Sequence, residues 1–183
     1  TLNANGANTI EVYGDWRNNN VFTALTGTVS FIATTTGRVI TPGSSSFYNL
    51  TFNGVGGNWS FTSAAVTVGN NLTISTGTVS LATGTTTVAG NFTNSGGAFM
   101  HNNGIVDFTG STAKTIQHNT SSFYDMNFSG SGSWSFTETA ATSSRHVTLT
   151  GGTATMPTAT FAIGGSFRRN GGAFSATSGT LKF

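Results

Sequence analysis

Short segments with an apolar residue at each end and a hydroxyl residue between them recur along the chain. Examples are Trp59-Ser60-Phe61, Val66-Thr67-Val68, Leu72-Thr73-Ile74 and Val79-Ser80-Leu81. Successive side chains of a β-strand point to opposite faces, so this alternation predicts short strands with apolar residues inward and hydroxyls outward. Gly-rich stretches such as 54–57 and 95–97 predict breaks at tight corners between these strands.

A long internal repeat of 75 to 77 residues organises these segments. Residues 47–52 return at 123–128, residues 59–62 return at 134–137, and a closing motif stands at 27–31, 104–108 and 179–183. We therefore predict that residues 1–31 are the end of a preceding repeat, and that 32–108 and 109–183 are two copies joined without a linker. This phase also leads us to expect a longer polypeptide rather than stacking of separate 183-residue units.

A shorter period of 20 to 22 residues runs inside the long repeat. Asn-x-Thr triplets begin at Asn49, Asn71 and Asn91. Such spacing is typical of the coils of a solenoid. We predict an all-β fold, a parallel β-helix-like solenoid with about three short strands per coil and a length of about 43 Å at roughly 4.8 Å per coil. Tandem β-sandwich repeats are the alternative, although sandwich strands usually run about 5 to 6 residues.

The composition excludes several classes of protein. Seven residues are Lys or Arg, five are Asp or Glu, and there is no Cys. Scattered basic residues argue against a nucleic-acid partner, which needs a cationic patch. No apolar stretch approaches the roughly 18 residues of a membrane helix, so we expect no membrane insertion. The lack of Cys excludes a disulfide framework and thiolate metal sites.

The repeat phrases resemble those of a known group of proteins. They are Phe-Tyr-Asn-Leu-Thr-Phe at 47–52, Gly-Asn-Asn-Leu-Thr-Ile-Ser-Thr-Gly at 69–77, Gly-Asn-Phe-Thr-Asn-Ser-Gly at 90–96, and Gly-Ile-Val-Asp-Phe-Thr-Gly-Ser at 104–111 followed by Lys-Thr-Ile-Gln at 114–117. They are similar to tandem Gly/Thr/Asn-rich solenoid repeats of very large secreted bacterial surface proteins, which look like adhesins or stalks. The resemblance implies a secreted or cell-surface location and a structural or adhesive role. It implies further repeats, other copies of the chain, or cell-surface glycans as partners.

The leading hypothesis is therefore a non-enzymatic structural segment of an extracellular filament, stalk or surface protein, and an adhesive glycan-binding module is the alternative. An ice-binding solenoid is a lesser alternative, because such a protein needs Thr-x-Thr triplets at the same point of successive coils. The triplet at 26–28 corresponds instead to Asn-Gly-Ile at 103–105.

A polysaccharide-acting β-helix enzyme is the other lesser alternative, and it would need paired carboxylates on one face. The carboxylates of the chain are Glu11, Asp15, Asp107, Asp125 and Glu138. No two of them recur at a shared phase of the repeat, so we expect no enzyme activity and assign no catalytic residue.

The histidines and arginines suggest no metal or cofactor site. His101, His118 and His146 lack metal-ligand spacing and an obvious acidic neighbour, so we expect exposed loop or strand residues. Arg168 and Arg169 form an adjacent basic pair, and Arg17 shares the phase of Arg168. An exposed corner is the leading interpretation of this pair, and an anion or polysaccharide contact is the alternative.

The aromatic residues are predicted to lie in the core, because they alternate with Ser or Thr. The repeated positions are Trp59 and Trp134, Phe47 and Phe123, and Trp16, Phe92 and Phe167. Equivalent aromatics are three to four coils apart and cannot touch, so contacts must come from neighbouring coils, such as Leu72 over Leu50.

Overall fold

The computed structural model describes residues 1–176 and 178–183, and these residues form strands and turns without any helix. The strands wind into about nine coils, with up to three strands in each coil. Strands pair in parallel with the strand one coil away rather than with their neighbour in sequence. The prediction of an all-β solenoid is confirmed, and the tandem-sandwich alternative is wrong because sandwiches pair their strands antiparallel.

The strand boundaries follow the coils in order. The first three coils contain β1 (Leu2–Asn3), β2 (Thr9–Val12), β3 (Trp16–Arg17), β4 (Phe22–Thr23), β5 (Thr28–Phe31), β6 (Arg38–Thr41) and β7 (Asn49–Phe61). The next three contain β8 (Ala65–Val68), β9 (Leu72–Ser80), β10 (Thr85–Val88), β11 (Phe92–Asn94), β12 (Ala98–Met100), β13 (Ile105–Phe108) and β14 (Ala113–Gln117). The last three contain β15 (Asp125–Phe128), β16 (Ser133–Phe136), β17 (Ala140–Ser143), β18 (Val147–Leu149), β19 (Thr153–Thr155), β20 (Thr160–Ile163), β21 (Phe167–Arg169), β22 (Ala173–Ser175) and β23 (Thr180–Lys182).

Three principal sheets form the faces of the solenoid. A six-stranded sheet runs β8, β10, β13, β15, β18, β21. A twelve-stranded sheet contains β2, β5, β7, β9, β11, β14, β16, β19 and β22, together with β3, β6 and β12, which join it through β7 and β9. A three-stranded sheet contains β17, β20 and β23. In the six-stranded sheet Ala65, Thr85, Ile105 and Asp125 stand in register, 20 residues apart. This register places the boundary predicted at 108/109 inside a continuous sheet.

One predicted break lies within a strand instead. The Gly-rich stretch at 54–57 is part of β7, which continues around a corner of the coil. The pairing of β7 with β9 shifts register between Phe52 and Asn53 and between Asn53 and Asn58. The corner is therefore an irregular, bulge-like region that keeps its strand character, because the glycines let the backbone turn without side-chain clashes.

The interior is a column of apolar side chains stacked coil on coil. Phe31 stacks on Phe52 with ring centroids 5.3 Å apart, and Phe108 stacks on Phe128 at 5.1 Å. Leu50 is in register with Leu72, as predicted. Six of the predicted core aromatics are buried, namely Trp16, Phe47, Trp59, Phe92, Phe123 and Trp134. The seventh, Phe167, is half-buried. Coil-on-coil burial of these rings is the main stabilising contribution to the fold.

Equivalent parts of the long repeat lie on different faces. The closing motif is in the twelve-stranded sheet as β5, in the six-stranded sheet as β13 and in the three-stranded sheet as β23. The three strands of one coil, β18, β19 and β20, belong to these same three sheets. The long period is therefore not a whole number of coils, and each copy of a motif is turned by one face relative to the copy before it.

Candidate functional site

A row of side-chain oxygens and nitrogens at one corner of the solenoid links successive coils. Asn49 Oδ1 accepts a hydrogen bond from Asn71 N at 3.4 Å, Asn71 Oδ1 accepts one from Asn91 N at 2.9 Å, and Asn91 Oδ1 accepts one from Thr115 N at 2.9 Å. We call this row the corner ladder. Each rung gives a backbone N–H a side-chain acceptor on the preceding coil; Asn71 and Asn91 lie just before β9 and β11, and Thr115 lies within β14. The Asn-x-Thr triplets thus have a structural role at the corner.

The second copy forms an equivalent corner ladder with different residues at another corner, the one that leads into the six-stranded sheet rather than the twelve-stranded sheet. Asp125 Oδ1 accepts from His146 N at 2.9 Å, and His146 Nδ1 accepts from Ser166 N at 2.9 Å. Asp125 stands where the first copy has Asn49, and His146 stands where it has Asn71.

An ion pair lies beside the corner ladder of the second copy, which is formed by Asp125, His146 and Ser166. Arg145 Nε lies 3.1 Å from Asp125 Oδ1, and Arg145 Nη2 lies 2.8 Å from Asp125 Oδ2. The guanidinium also lies 5.0 Å from the ring centroid of Tyr124, whose other neighbour is the His101 ring at 5.2 Å. A two-point contact and an aromatic face together fix the orientation of Arg145. In the first copy the same contact joins two neutral amides, with Asn70 Nδ2 donating to Asn49 Oδ1.

The ion pair lies in a surface groove on the outer face of the six-stranded sheet. The groove has a volume of about 370 Å³, and its lining includes Ile105, Asp125, Asn127, Arg145, Thr148 and Arg168. Asn127, Thr148 and Arg168 form one outward row, since Asn127 is in register with Thr148 and Thr148 with Arg168. Two cationic side chains, amide and hydroxyl groups, and one partly exposed apolar residue therefore share one face.

Asp107 belongs to the same outward row as Asn127. Its Oδ1 accepts from Asn127 Nδ2 at 2.9 Å and from Ser129 Oγ at 2.8 Å. Partial burial raises the pKa of Asp107 above the ordinary aspartate value, although both hydrogen bonds act in the opposite direction. This carboxylate ties two coils together at the sheet surface.

The other carboxylates also make local structural contacts. Asp15 Oδ1 accepts from Val39 N at 3.1 Å, and this hydrogen bond lowers the pKa of Asp15. Glu138 accepts from the backbone N–H groups of His118 and Asn119. The carboxylates are thus distributed along the solenoid, with Asp107 and Asp125 on the face that carries the groove.

The expectation of exposed histidines is wrong for His118. Its side chain is buried, its Nδ1 lies 2.7 Å from Ser121 O, and its Nε2 lies 2.9 Å from Ala140 O. Glu138 is also a near acidic neighbour, at 3.8 Å from Nε2. This contact could not be predicted from the sequence, because Glu138 belongs to the next coil.

The two arginines of the basic pair, Arg168 and Arg169, have different environments. Arg168 and Arg169 are both exposed, as predicted; Arg168 lines the groove, while Arg169 Nε donates to Gly172 O at 3.0 Å. Arg17, at the phase of Arg168, lies on another face and pairs with Asp15 at 3.4 Å. The shared phase therefore does not give a shared environment.

Outward threonines align in a short row. Thr51, Thr73 and Thr93 are in register on the twelve-stranded sheet, and Gln117 follows Thr93. The triplet at 26–28 leads into Asn49 rather than into another threonine, because Thr28 is in register with Asn49. The two adjacent threonine rows of a flat array are not present at these positions.

Within residues 1–176 and 178–183, no three His, Asp or Glu side chains come together as a metal-ligand group, and no helix could cross a membrane. No protein-family model matches the chain, and neither a curated protein nor a solved structure shows significant similarity to it.

Arg145 is the groove residue that sequence reasoning missed. Its position corresponds to Asn70 in the first copy, so the repeat gave no sign of a charge there. A usable signal was the simultaneous change of Asn49 to Asp125 and Asn70 to Arg145 between copies. Two neutral partners had become two opposite charges.

Proposed function

We propose that the chain is a structural segment of an extracellular filament, stalk or cell-surface protein. The observation that supports this proposal most directly is the coil-to-coil linkage along the whole solenoid. Parallel backbone ladders join each coil to the next, and stacked core side chains and corner hydrogen bonds reinforce several of these junctions. These bonds run along the long axis of the rod, so they hold the rod extended under load.

The polar residues support the same proposal. Asp15, Asp125 and Glu138 accept backbone N–H groups, and the corner asparagines do the same. Groups that could do chemistry elsewhere serve here to satisfy the backbone at the turns. The partners in this proposal are further repeats of the same kind, whose coils would continue the same core and ladders.

Imaging of native material tests the proposal. Antibodies raised against the 183-residue chain should label thin fibres outside intact cells in immuno-electron microscopy. The width of these fibres should match a single solenoid or a small bundle of solenoids. Labelling confined to the cell interior, or to compact particles without fibres, would overturn it.

A further inference from the structure

We propose that the groove on the six-stranded sheet binds an acidic oligosaccharide, one that carries sugar carboxylates. This goes beyond the structural role, and its failure would leave the structural proposal standing. The groove adds a recognition surface to one face of the rod.

The cation on the groove floor is held in place before a ligand arrives. Arg145 contacts both oxygens of Asp125 and packs on Tyr124, and half of its side chain remains exposed. A guanidinium has five N–H donors, and this contact uses two of them. The remaining donors can face a ligand carboxylate without a large loss of side-chain entropy, because the orientation is already fixed.

Arg168 supplies the second cation, one coil further along the rod. Asp125 offsets the charge of Arg145, so the exposed Arg168 leaves one positive charge in excess among the residues that line the groove; Asp107 lies on the same face but outside that lining. A fork-shaped guanidinium matches a carboxylate in a two-point contact. The groove therefore favours a ligand with separated single negative charges.

The shape and the other groups indicate a sugar chain rather than a small inorganic anion. Ile105, Asp125 and Arg168 belong to different coils, so the groove extends along the rod for about three coil spacings, roughly 14 Å. Asn127, Thr148 and Thr150 offer amide and hydroxyl groups for sugar hydroxyls. Ile105, which is 37% exposed, offers an apolar contact for a sugar ring.

Calorimetric titration with an oligogalacturonate tests the proposal. The folded 183-residue chain should bind the acidic oligomer, and the binding should weaken as salt is raised from low to physiological concentration. The fully methyl-esterified oligomer of the same length should bind at least about tenfold more weakly, because its charges are removed.

Matched variants locate the site. Arg168→Gln should weaken binding about tenfold, whereas Arg17→Gln removes an exposed arginine at the same repeat phase on another face and should leave binding unchanged. Circular dichroism and thermal melts check that each variant is folded. Since Arg168 is exposed, its substitution should leave the melting temperature unchanged.

Three outcomes would overturn the proposal. They are unchanged binding by the Arg168→Gln variant, equal binding of the esterified oligomer, and displacement of the oligomer by inorganic phosphate at the same molar concentration. The last result would show a simple oxyanion site. Absence of any binding to the wild-type chain would also overturn it.

Discussion

In each full copy of the repeat, a tryptophan on one coil packs against a glycine on the next coil: Trp59 against Gly77, and Trp134 against Gly152. A Cβ atom at Gly77 would lie 2.6 Å from Trp59 Cζ3, and one at Gly152 would lie 2.8 Å from Trp134 Cζ3. Both glycines also have positive φ, +78° and +57°. Each indole, together with nearby backbone carbonyl oxygens such as Gly57 O and Gly132 O, therefore occupies the space that a side chain on the next coil would need.

Gly77→Ala should lower the free energy of unfolding by roughly 2 to 5 kcal/mol, since a left-handed φ and a core clash add together. Gly37 is the matched control, because its φ is +77° and nothing lies within 4 Å of its Cβ position. Gly37→Ala should cost only about 1 to 2 kcal/mol. Urea unfolding of both variants measures the difference, and equal losses would contradict the role of the indole.

Asp107 gives a pH-dependent prediction at the same scale. Burial raises its pKa, so between the unfolded and folded pKa values the folded state holds a proton that the unfolded state has lost. This contribution to stability therefore falls as pH rises through that interval, and above it the ionised carboxylate destabilises the fold. Asp107→Asn keeps an oxygen for Asn127 and Ser129 and should raise the urea midpoint at pH 7. The gain should be smaller at pH 3, and a lower midpoint at both pH values would show that the charge itself stabilises the fold.

At the scale of the element, the strands could be predicted from sequence and the corners only in part: the break predicted at 95–97 lies between β11 and β12, whereas the one at 54–57 does not interrupt β7. Alternation and the 20- to 22-residue period suffice for strands such as β8 and β10, because inward and outward sides follow directly from the pleat. At 54–57 the corner was predicted but the continuation of the strand through it was not, because glycine indicates that a turn is allowed and not whether pairing stops there. The groove could not be predicted either, because Arg145 and Asp125 meet only through the register of adjacent coils.

The corner ladder supplies a prediction about interchangeable acceptors. His146→Asn places the residue of the first copy at the equivalent position and should leave stability within about 0.5 kcal/mol of wild type. His146→Ala leaves Ser166 N without its acceptor and should cost about 1 to 3 kcal/mol. Chemical denaturation at pH 7 distinguishes the variants. Equal destabilisation by both would mean that ring packing, and not the Nδ1 acceptor, is what His146 contributes.

At the scale of the whole molecule, stability should depend on position along the rod. Phe128 lies between Phe108 and Trp134, at 5.1 and 5.6 Å, while the half-buried Phe167 has Phe174 as its aromatic neighbour at 4.6 Å. In the 183-residue chain, Phe128→Ala should cost about 3 to 5 kcal/mol, because a fully buried ring leaves a cavity. Phe167→Ala should cost less than half as much. Hydrogen exchange should show greatest protection in the central coils, and uniform protection would contradict a nearest-neighbour solenoid.

The turning of the repeat from face to face couples rod length to orientation. Closing motifs in β5, β13 and β23 occupy three different sheets, and the first two bury Phe31 and Phe108 fully. Duplication or loss of one copy in the gene would therefore lengthen or shorten the rod and also rotate everything beyond that point by about a third of a turn. The number of copies would set the angle at which features on distant parts of the rod are presented to their surroundings.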